Sequence, residues 1–141
     1  MEKCIKNKWF IQNRNSKRAN IDPETLRFEK AKALALSRLK EAKKHLDLNN
    51  SRAFYEEISK SIYGYASDKL KVPSSQLNSF NINLKLESLG LSSVSISAVD
   101  EILKACELAL FAGSGQTDKM QVTYDKSLNI IEKVEQQLYQ H

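Results

Sequence analysis

Apolar residues recur at helical spacing through most of this chain, and this periodicity restricts its fold more than any other feature. Between residues 22 and 141 they return every three or four positions, as in helices that bury one face. No stretch alternates apolar and polar residues between turn signals, as a half-buried strand would. Four glycines and two prolines among 141 residues are also too few for a protein built of many tight turns. The sequence predicts an all-α fold.

The first two helices have clear start and stop signals. Asp22 can cap a helix that begins at Pro23, and Asn49 and Asn50 can end this helix and cap the next one. The second helix should end before Pro73, because proline disfavours helical geometry in the residue that precedes it. Since only a short link joins them, the two helices should form a long antiparallel hairpin like that of a tetratricopeptide unit. No second copy of such a unit follows at a fixed period.

Three further helices complete a predicted compact bundle of about five. A short third helix ends at Gly90, a fourth begins between Ser92 and Ser97, and the last begins near Asp118. Apolar residues from four of the five helices should be buried together, and these are Phe54, Ile58, Ile62, Leu86, Ile102, Cys106, Ile131 and Val134.

The positive charge of the chain is concentrated at its start. The formal net charge is +5, and residues 1–20 hold six of the 22 basic residues and one of the 17 acidic residues, so 16 of each sign remain for the rest. The sequence therefore predicts a flexible basic arm over residues 1–21 and a single helical domain over residues 22–141. The candidate residues for contact with an anionic membrane surface are Lys3, Lys6, Lys8, Trp9, Arg14, Lys17 and Arg18.

The same arm could attract nucleic acid without sequence specificity, and this is the alternative function. Specific readout of DNA is not expected. The fourth helix carries Asp100, Glu101, Lys104 and Glu107, which leaves it negatively charged and without the arginine that usually contacts guanine.

The sequence contains no pattern that predicts an enzyme, a cofactor site or a metal site. Gly113 to Thr117 resembles a phosphate-binding loop only superficially, because Gln116 stands where such a loop needs lysine. Neither His45 nor His141 has a second ligand at metal-binding spacing. The adjacent acids Glu56–Glu57 and Asp100–Glu101 point to different sides of their helices, which favours solvated faces over acid–base pairs.

Two tyrosines of the second helix are the candidate contacts for a protein partner. Tyr55 and Tyr63 are expected to be exposed, and exposed aromatic rings are typical of protein-binding surfaces. The alternative is that both rings only cover the core with their hydroxyl groups in water. Gly64, in the middle of the same helix, predicts close approach of a neighbouring helix.

Two segments resemble a known family. "AFYEEISKSIYGYASDKLKVP" (residues 53–73) and "LKACELALFAG" (residues 103–113) are similar to the cytoplasmic C-terminal region of BatD, the Bacteroides aerotolerance or oxygen-tolerance family. The basic segment before the first helix and the end of that helix, "RLKEAKKHL", are similar as well, so the likeness covers nearly the whole chain. The chain departs from the family pattern at Leu110, Phe111 and Gly113, where Arg, Tyr and Pro are usual.

The resemblance implies exported β-sandwich domains, one membrane-spanning helix, and a helical cytoplasmic tail to which this sequence would correspond. It also implies partners, since the family is associated with membrane-anchored von Willebrand A-type proteins, tetratricopeptide proteins and a MoxR-type ATPase in bacteria coping with oxygen. The family supplies no catalytic residues. The expected function is a non-catalytic protein-interaction module on the cytoplasmic face of a bacterial inner membrane, where basic residues and Trp9 would suit the interface.

Overall fold

The computed structural model describes residues 22–112 and 117–139, and all regular structure in these ranges is helical. The predicted all-α fold is confirmed. Two short 3₁₀ turns, Ser74–Gln76 and Thr117–Lys119, accompany five α-helices. The helices are α1 (Pro23–Asp47), α2 (Ser51–Leu70), α3 (Ile82–Glu87), α4 (Ser93–Phe111) and α5 (Met120–Leu138).

Local signals decide where these helices begin and end. The Asp22 carboxylate accepts a hydrogen bond from the backbone N–H of Thr25 at 2.9 Å, and this bond caps α1. The Ser92 hydroxyl accepts one from the N–H of Ser95 at 3.2 Å and caps α4. Gly90 has a φ of 80° in the turn that follows α3, a backbone conformation that favours glycine. The last α-helix begins two residues after the predicted Asp118, because a 3₁₀ turn precedes it.

Helices α1 and α2 form the predicted antiparallel hairpin. The Ser61 hydroxyl donates to the carbonyl of Ala35 at 3.2 Å, and the Lys69 ammonium donates to the carbonyl of Phe28 at 3.0 Å. Later residues of α2 thus meet earlier residues of α1. The buried face of α1 consists mostly of alanine, which lets the two helices approach closely; it contains Ala31, Ala35, Leu39 and Ala42.

Helix α2 is the central helix of the bundle, since it packs against α1, α3, α4 and α5. The predicted core is confirmed, because all eight of its residues are at most 4% exposed and belong to one cluster. Burial of α2 extends well beyond one apolar stripe and includes Ser61, Asp68 and Lys69.

The predicted basic arm, with Lys3, Lys6, Lys8, Trp9, Arg14, Lys17 and Arg18, lies outside the described residues, as do residues 113–116 and 140–141. Within the described ranges, no helix is both long enough and apolar enough to cross a membrane.

Candidate partner-binding groove

Two adjoining hollows follow one side of α2 and share three lining residues, Ser59, Tyr63 and Leu77. We call this continuous surface the Tyr63 groove. The first hollow has a volume of about 400 Å³ and is also lined by Arg38, Lys60, Gly64 and Ser74. The second has a volume of about 350 Å³ and is also lined by Asn78, Ser79, Leu103, Cys106, Glu107, Leu110 and Phe111.

The connector between α2 and α3 forms one edge of the Tyr63 groove. Leu77 is buried and anchors the connector to the core. Asn78 and Asn81 then bond to each other reciprocally: the side-chain oxygen of each accepts the backbone N–H of the other at 2.9 Å. The Asn78 side chain also accepts the N–H of Phe80 at 2.8 Å. These bonds fix a turn that leaves Phe80 95% exposed beside the groove-lining Ser79.

Helix α4 forms the opposite edge, and its last turn carries exposed apolar side chains. Phe111 lines the groove and is 84% exposed, and Leu108 is half exposed on the preceding turn. Large apolar side chains left in water beside a hollow are typical of surfaces that contact another molecule.

Tyr63 lies at the centre of the groove, where it is half-buried and lines both hollows. Burial raises the pKa of its hydroxyl, and the negative charge of Glu107 acts in the same direction. The hydroxyl therefore stays protonated at neutral pH and can donate a hydrogen bond into the groove.

The prediction that Tyr55 is exposed is wrong. Its side chain is fully buried, and its hydroxyl makes a hydrogen bond with Thr123 of α5. Tyr55 was expected to be exposed, but α5 covers the side of α2 that carries it. Tyr55 supports the core, and only Tyr63 is placed to contact a partner.

Gly64 is explained by an arginine of α1. A Cβ atom at position 64 would overlap Nη1 of Arg38 and lie 3.2 Å from its Cζ atom, so the guanidinium rests directly on the α2 backbone. The predicted close approach at Gly64 is confirmed, and the approaching group is a side chain that lines the groove.

A buried lysine cluster, not identified from the sequence, lies elsewhere on α2. The Lys69 side chain is 1% exposed, and its ammonium lies 3.0 Å from Glu135 Oε2 in an ion pair. The ammonium also donates hydrogen bonds to the carbonyl of Phe28 at 3.0 Å and to Tyr139 Oη at 3.1 Å. The Tyr65 hydroxyl donates to the same Glu135 oxygen. The Phe28 ring centroid lies 4.1 Å from the Lys69 nitrogen, a distance at which a cation interacts with an aromatic ring.

One signal in the sequence could have revealed this cluster. Lys69 lies seven residues after Ile62 and four after Tyr65, so it lies on the same buried face of α2 as these apolar residues. A lysine in such a position is rarely buried without a partner for its charge.

The acidic pairs singled out from the sequence form ion pairs with basic neighbours. Their carboxylates lie 2.9 to 3.7 Å from lysine or arginine nitrogens: Glu56 from Arg52, Glu57 from Lys60, Asp100 from Lys104 and Glu101 from Lys126. Within residues 22–112 and 117–139, no group of three or more His, Cys, Asp or Glu side chains could hold a metal ion.

Comparison with protein-family models, with curated proteins and with solved structures gives no match to this chain. The resemblance to the BatD family therefore stays a prediction.

Proposed function

We propose that this chain is a non-catalytic protein-interaction module whose Tyr63 groove binds a segment of a partner protein. The exposure of Phe111 carries the proposal, because 84% of this residue lies in water at the apolar end of the second hollow. Burying such a ring against a partner would release apolar surface from water and favour binding. Tyr63, at the centre of the groove, supports the same function because tyrosine is enriched in protein interfaces.

The titratable groups of the groove favour binding over catalysis. Burial raises the pKa of the Cys106 thiol to about 12, so the reactive thiolate is scarce at neutral pH. Glu57, beside the groove, is paired with Lys60 at 3.7 Å. Among the residues that the structure describes, neither group has the activating partner that a nucleophile or a general base requires.

The cellular position of the module is proposed from the resemblance and from the charge of residues 1–20. The likeness to BatD supports a place on the cytoplasmic face of a bacterial inner membrane and a part in oxygen tolerance. It also supports a membrane-anchored von Willebrand A-type protein, a tetratricopeptide protein or a MoxR-type ATPase as the partner. Each of the six basic side chains would contribute about 1 kcal/mol to the free energy of binding an anionic membrane surface, before the cost of ordering the chain is subtracted.

A comparative pull-down tests the binding function. The full chain and its Phe111→Ser variant are used to recover proteins from a bacterial membrane extract. The matched control is Leu48→Ser, since Leu48 is 75% exposed and lies outside the groove. We expect Phe111→Ser alone to lose a recovered protein, and equal recovery by all three chains would contradict the proposal.

Sedimentation with vesicles tests the membrane position. The full chain should pellet with phosphatidylglycerol vesicles and stay in solution with phosphatidylcholine vesicles. Most of this binding should disappear at about 1 M salt, where the Debye length falls to about 3 Å. A chain that binds duplex DNA more tightly than anionic vesicles at equal ionic strength would instead favour the nucleic-acid alternative.

A further inference from the structure

The two ends of the Tyr63 groove differ in chemistry. The first hollow carries the positive charges of Arg38 and Lys60 together with the hydroxyl of Ser74. The second hollow is apolar toward the end of α4, where Leu110 and Phe111 line it. Each hollow is large enough for a few side chains, since cavities that bind ligands begin at about 300 Å³. The groove therefore suits a ligand that is anionic at one end and apolar at the other.

Arg38 provides the positive charge at the first end. Its guanidinium forms no ion pair with any residue in the described part of the chain. Asp68 interacts with it electrostatically, but this carboxylate is buried and also lies 3.8 Å from Nε of Arg27. Lys60 is paired with Glu57 at 3.7 Å, and its side chain is mostly exposed. Arg38 is thus the basic group of the groove with donors left for a ligand.

Gly64 positions this guanidinium. Glycine destabilises the middle of a helix, yet any larger residue at position 64 would overlap Nη1 of Arg38. The planar guanidinium can lie against the α2 backbone only because the Cβ atom is missing. A flat donor of this kind suits a carboxylate, which can accept two parallel hydrogen bonds from it.

Glu107 gives the second end the opposite charge. It lines the apolar hollow, makes no ion pair with a described residue, and raises the pKa of Tyr63. A ligand carboxylate near Phe111 would be repelled by it, whereas a carboxylate near Arg38 would be attracted. The groove therefore favours one orientation of the ligand.

We infer that the Tyr63 groove selects a partner segment in which an aspartate or glutamate side chain adjoins two or three bulky apolar side chains. The carboxylate binds Arg38, and the apolar side chains pack against Leu110 and Phe111. This inference rests on the proposed function and specifies the chemistry of the partner.

Fluorescence anisotropy with defined peptides tests it. Three peptides of about eight residues, labelled at the N-terminus with an uncharged BODIPY dye and amidated at the C-terminus so that only side chains carry charge, are titrated with the full chain. The first contains one aspartate beside leucine and phenylalanine. The second has lysine in place of the aspartate, and the third has serine in place of the apolar residues. We expect the first to bind at least about tenfold more tightly than the other two.

Variants of the full chain are essential, because its basic N-terminal residues would attract any acidic peptide. Arg38→Gln should weaken binding of the first peptide about tenfold, whereas Arg52→Gln, an exposed arginine outside the groove, should not. Gly64→Ala keeps every charge but displaces the Arg38 guanidinium, so it should weaken binding to a similar degree. Its thermal melt should show no loss of stability, since alanine favours helix more than glycine does.

The possible failures differ from one another. Equal binding of the aspartate and lysine peptides, with both weakened by Phe111→Ser, would overturn the inference and leave the groove as a protein-binding site. Binding of the first peptide that no groove variant changes would place it elsewhere and overturn the inference. If, in addition, Phe111→Ser recovers the same proteins as the wild type in the pull-down, the proposed function of the groove fails as well.

Discussion

The Lys69 ammonium lies 3.0 Å from Oε2 of Glu135, and this buried ion pair joins the end of α2 to the end of α5. The ammonium also donates hydrogen bonds to the Phe28 carbonyl and to Tyr139 Oη. The pair thus connects three helices at one end of the bundle, opposite to the linker between α1 and α2.

We expect Lys69→Met to lower the free energy of unfolding by about 3–5 kcal/mol. Methionine fills much of the space, but it leaves the largely buried Glu135 charge without its partner and the Phe28 carbonyl without its donor. Urea unfolding followed by circular dichroism measures the change.

The matched control is Lys32→Met, which breaks the exposed ion pair between Lys32 of α1 and Glu132 of α5. Exposed pairs contribute about 0–1 kcal/mol, so this variant should stay close to the wild type. If the two variants lose the same stability, Lys69 does not have the structural role assigned to it.

Stability should fall at alkaline pH because of Cys106. Burial raises the pKa of its thiol from 9.0 to about 12, so the native state favours the protonated form. This contribution is complete below the unfolded-state pKa and is lost as pH rises from 9.0 toward 12. Burial and the hydrogen bond to Glu135 raise the pKa of Tyr65 as well, and act in the same direction.

Urea unfolding of the wild type and of Cys106→Ala at about pH 8 and about pH 10.5 separates this effect from other alkaline titrations. At the lower pH the alanine variant should be less stable than the wild type, because the substitution removes the packing of the sulfur atom. It should lose less stability than the wild type between the lower and the higher pH. An identical loss in both chains would contradict the assigned pKa shift.

Ile58→Ala tests the core directly. Ile58 is fully buried at the centre of the bundle. Its truncation to alanine should lower the free energy of unfolding by about 2–5 kcal/mol, because a cavity remains. Leu48→Ala is the control. Leu48 is largely exposed, so this substitution should lower the melting temperature only a little. A melt of Ile58→Ala that matches the wild type would show that the core is assigned wrongly.

The sequence was sufficient to predict the helices and the core, because their signals are local. Asp22 caps α1 as expected, and every predicted core residue is buried, since apolar spacing determines which face of a helix turns inward. The start of α5 was placed two residues early because a 3₁₀ turn and the first turn of an α-helix have similar residue preferences.

The groove and the lysine cluster depend on contacts between distant residues, which local patterns do not encode. Tyr55 was predicted to be exposed because nothing near it in the sequence indicates that α5 covers it. Lys69 and Glu135 are 66 positions apart. Gly64 could be flagged as a close approach, but its neighbour Arg38 could not be named.

The "GYASDKL" segment shows how one sequence pattern can serve the fold. Gly64 accommodates Arg38, Ser67 Oγ donates to the Val72 carbonyl at 2.5 Å and secures the end of α2, and Lys69 holds the ends of three helices together. From the sequence alone, this segment carried a resemblance to a family and, at Gly64, a predicted close approach. The structure gives these residues roles in folding that do not depend on that resemblance.

Site-specific photo-cross-linking tests the central claim, that the Tyr63 groove binds a partner protein, most directly. The full chain is expressed in bacterial cells with p-benzoylphenylalanine at position 111 or, as the control, at position 48. The native residues at these positions are 84% and 75% exposed, but only Phe111 lines the groove. We predict that irradiation gives a discrete protein adduct from position 111 alone, and that Tyr63→Ala in the same chain weakens it. Adducts of equal yield from both positions, or none from position 111, would contradict the claim.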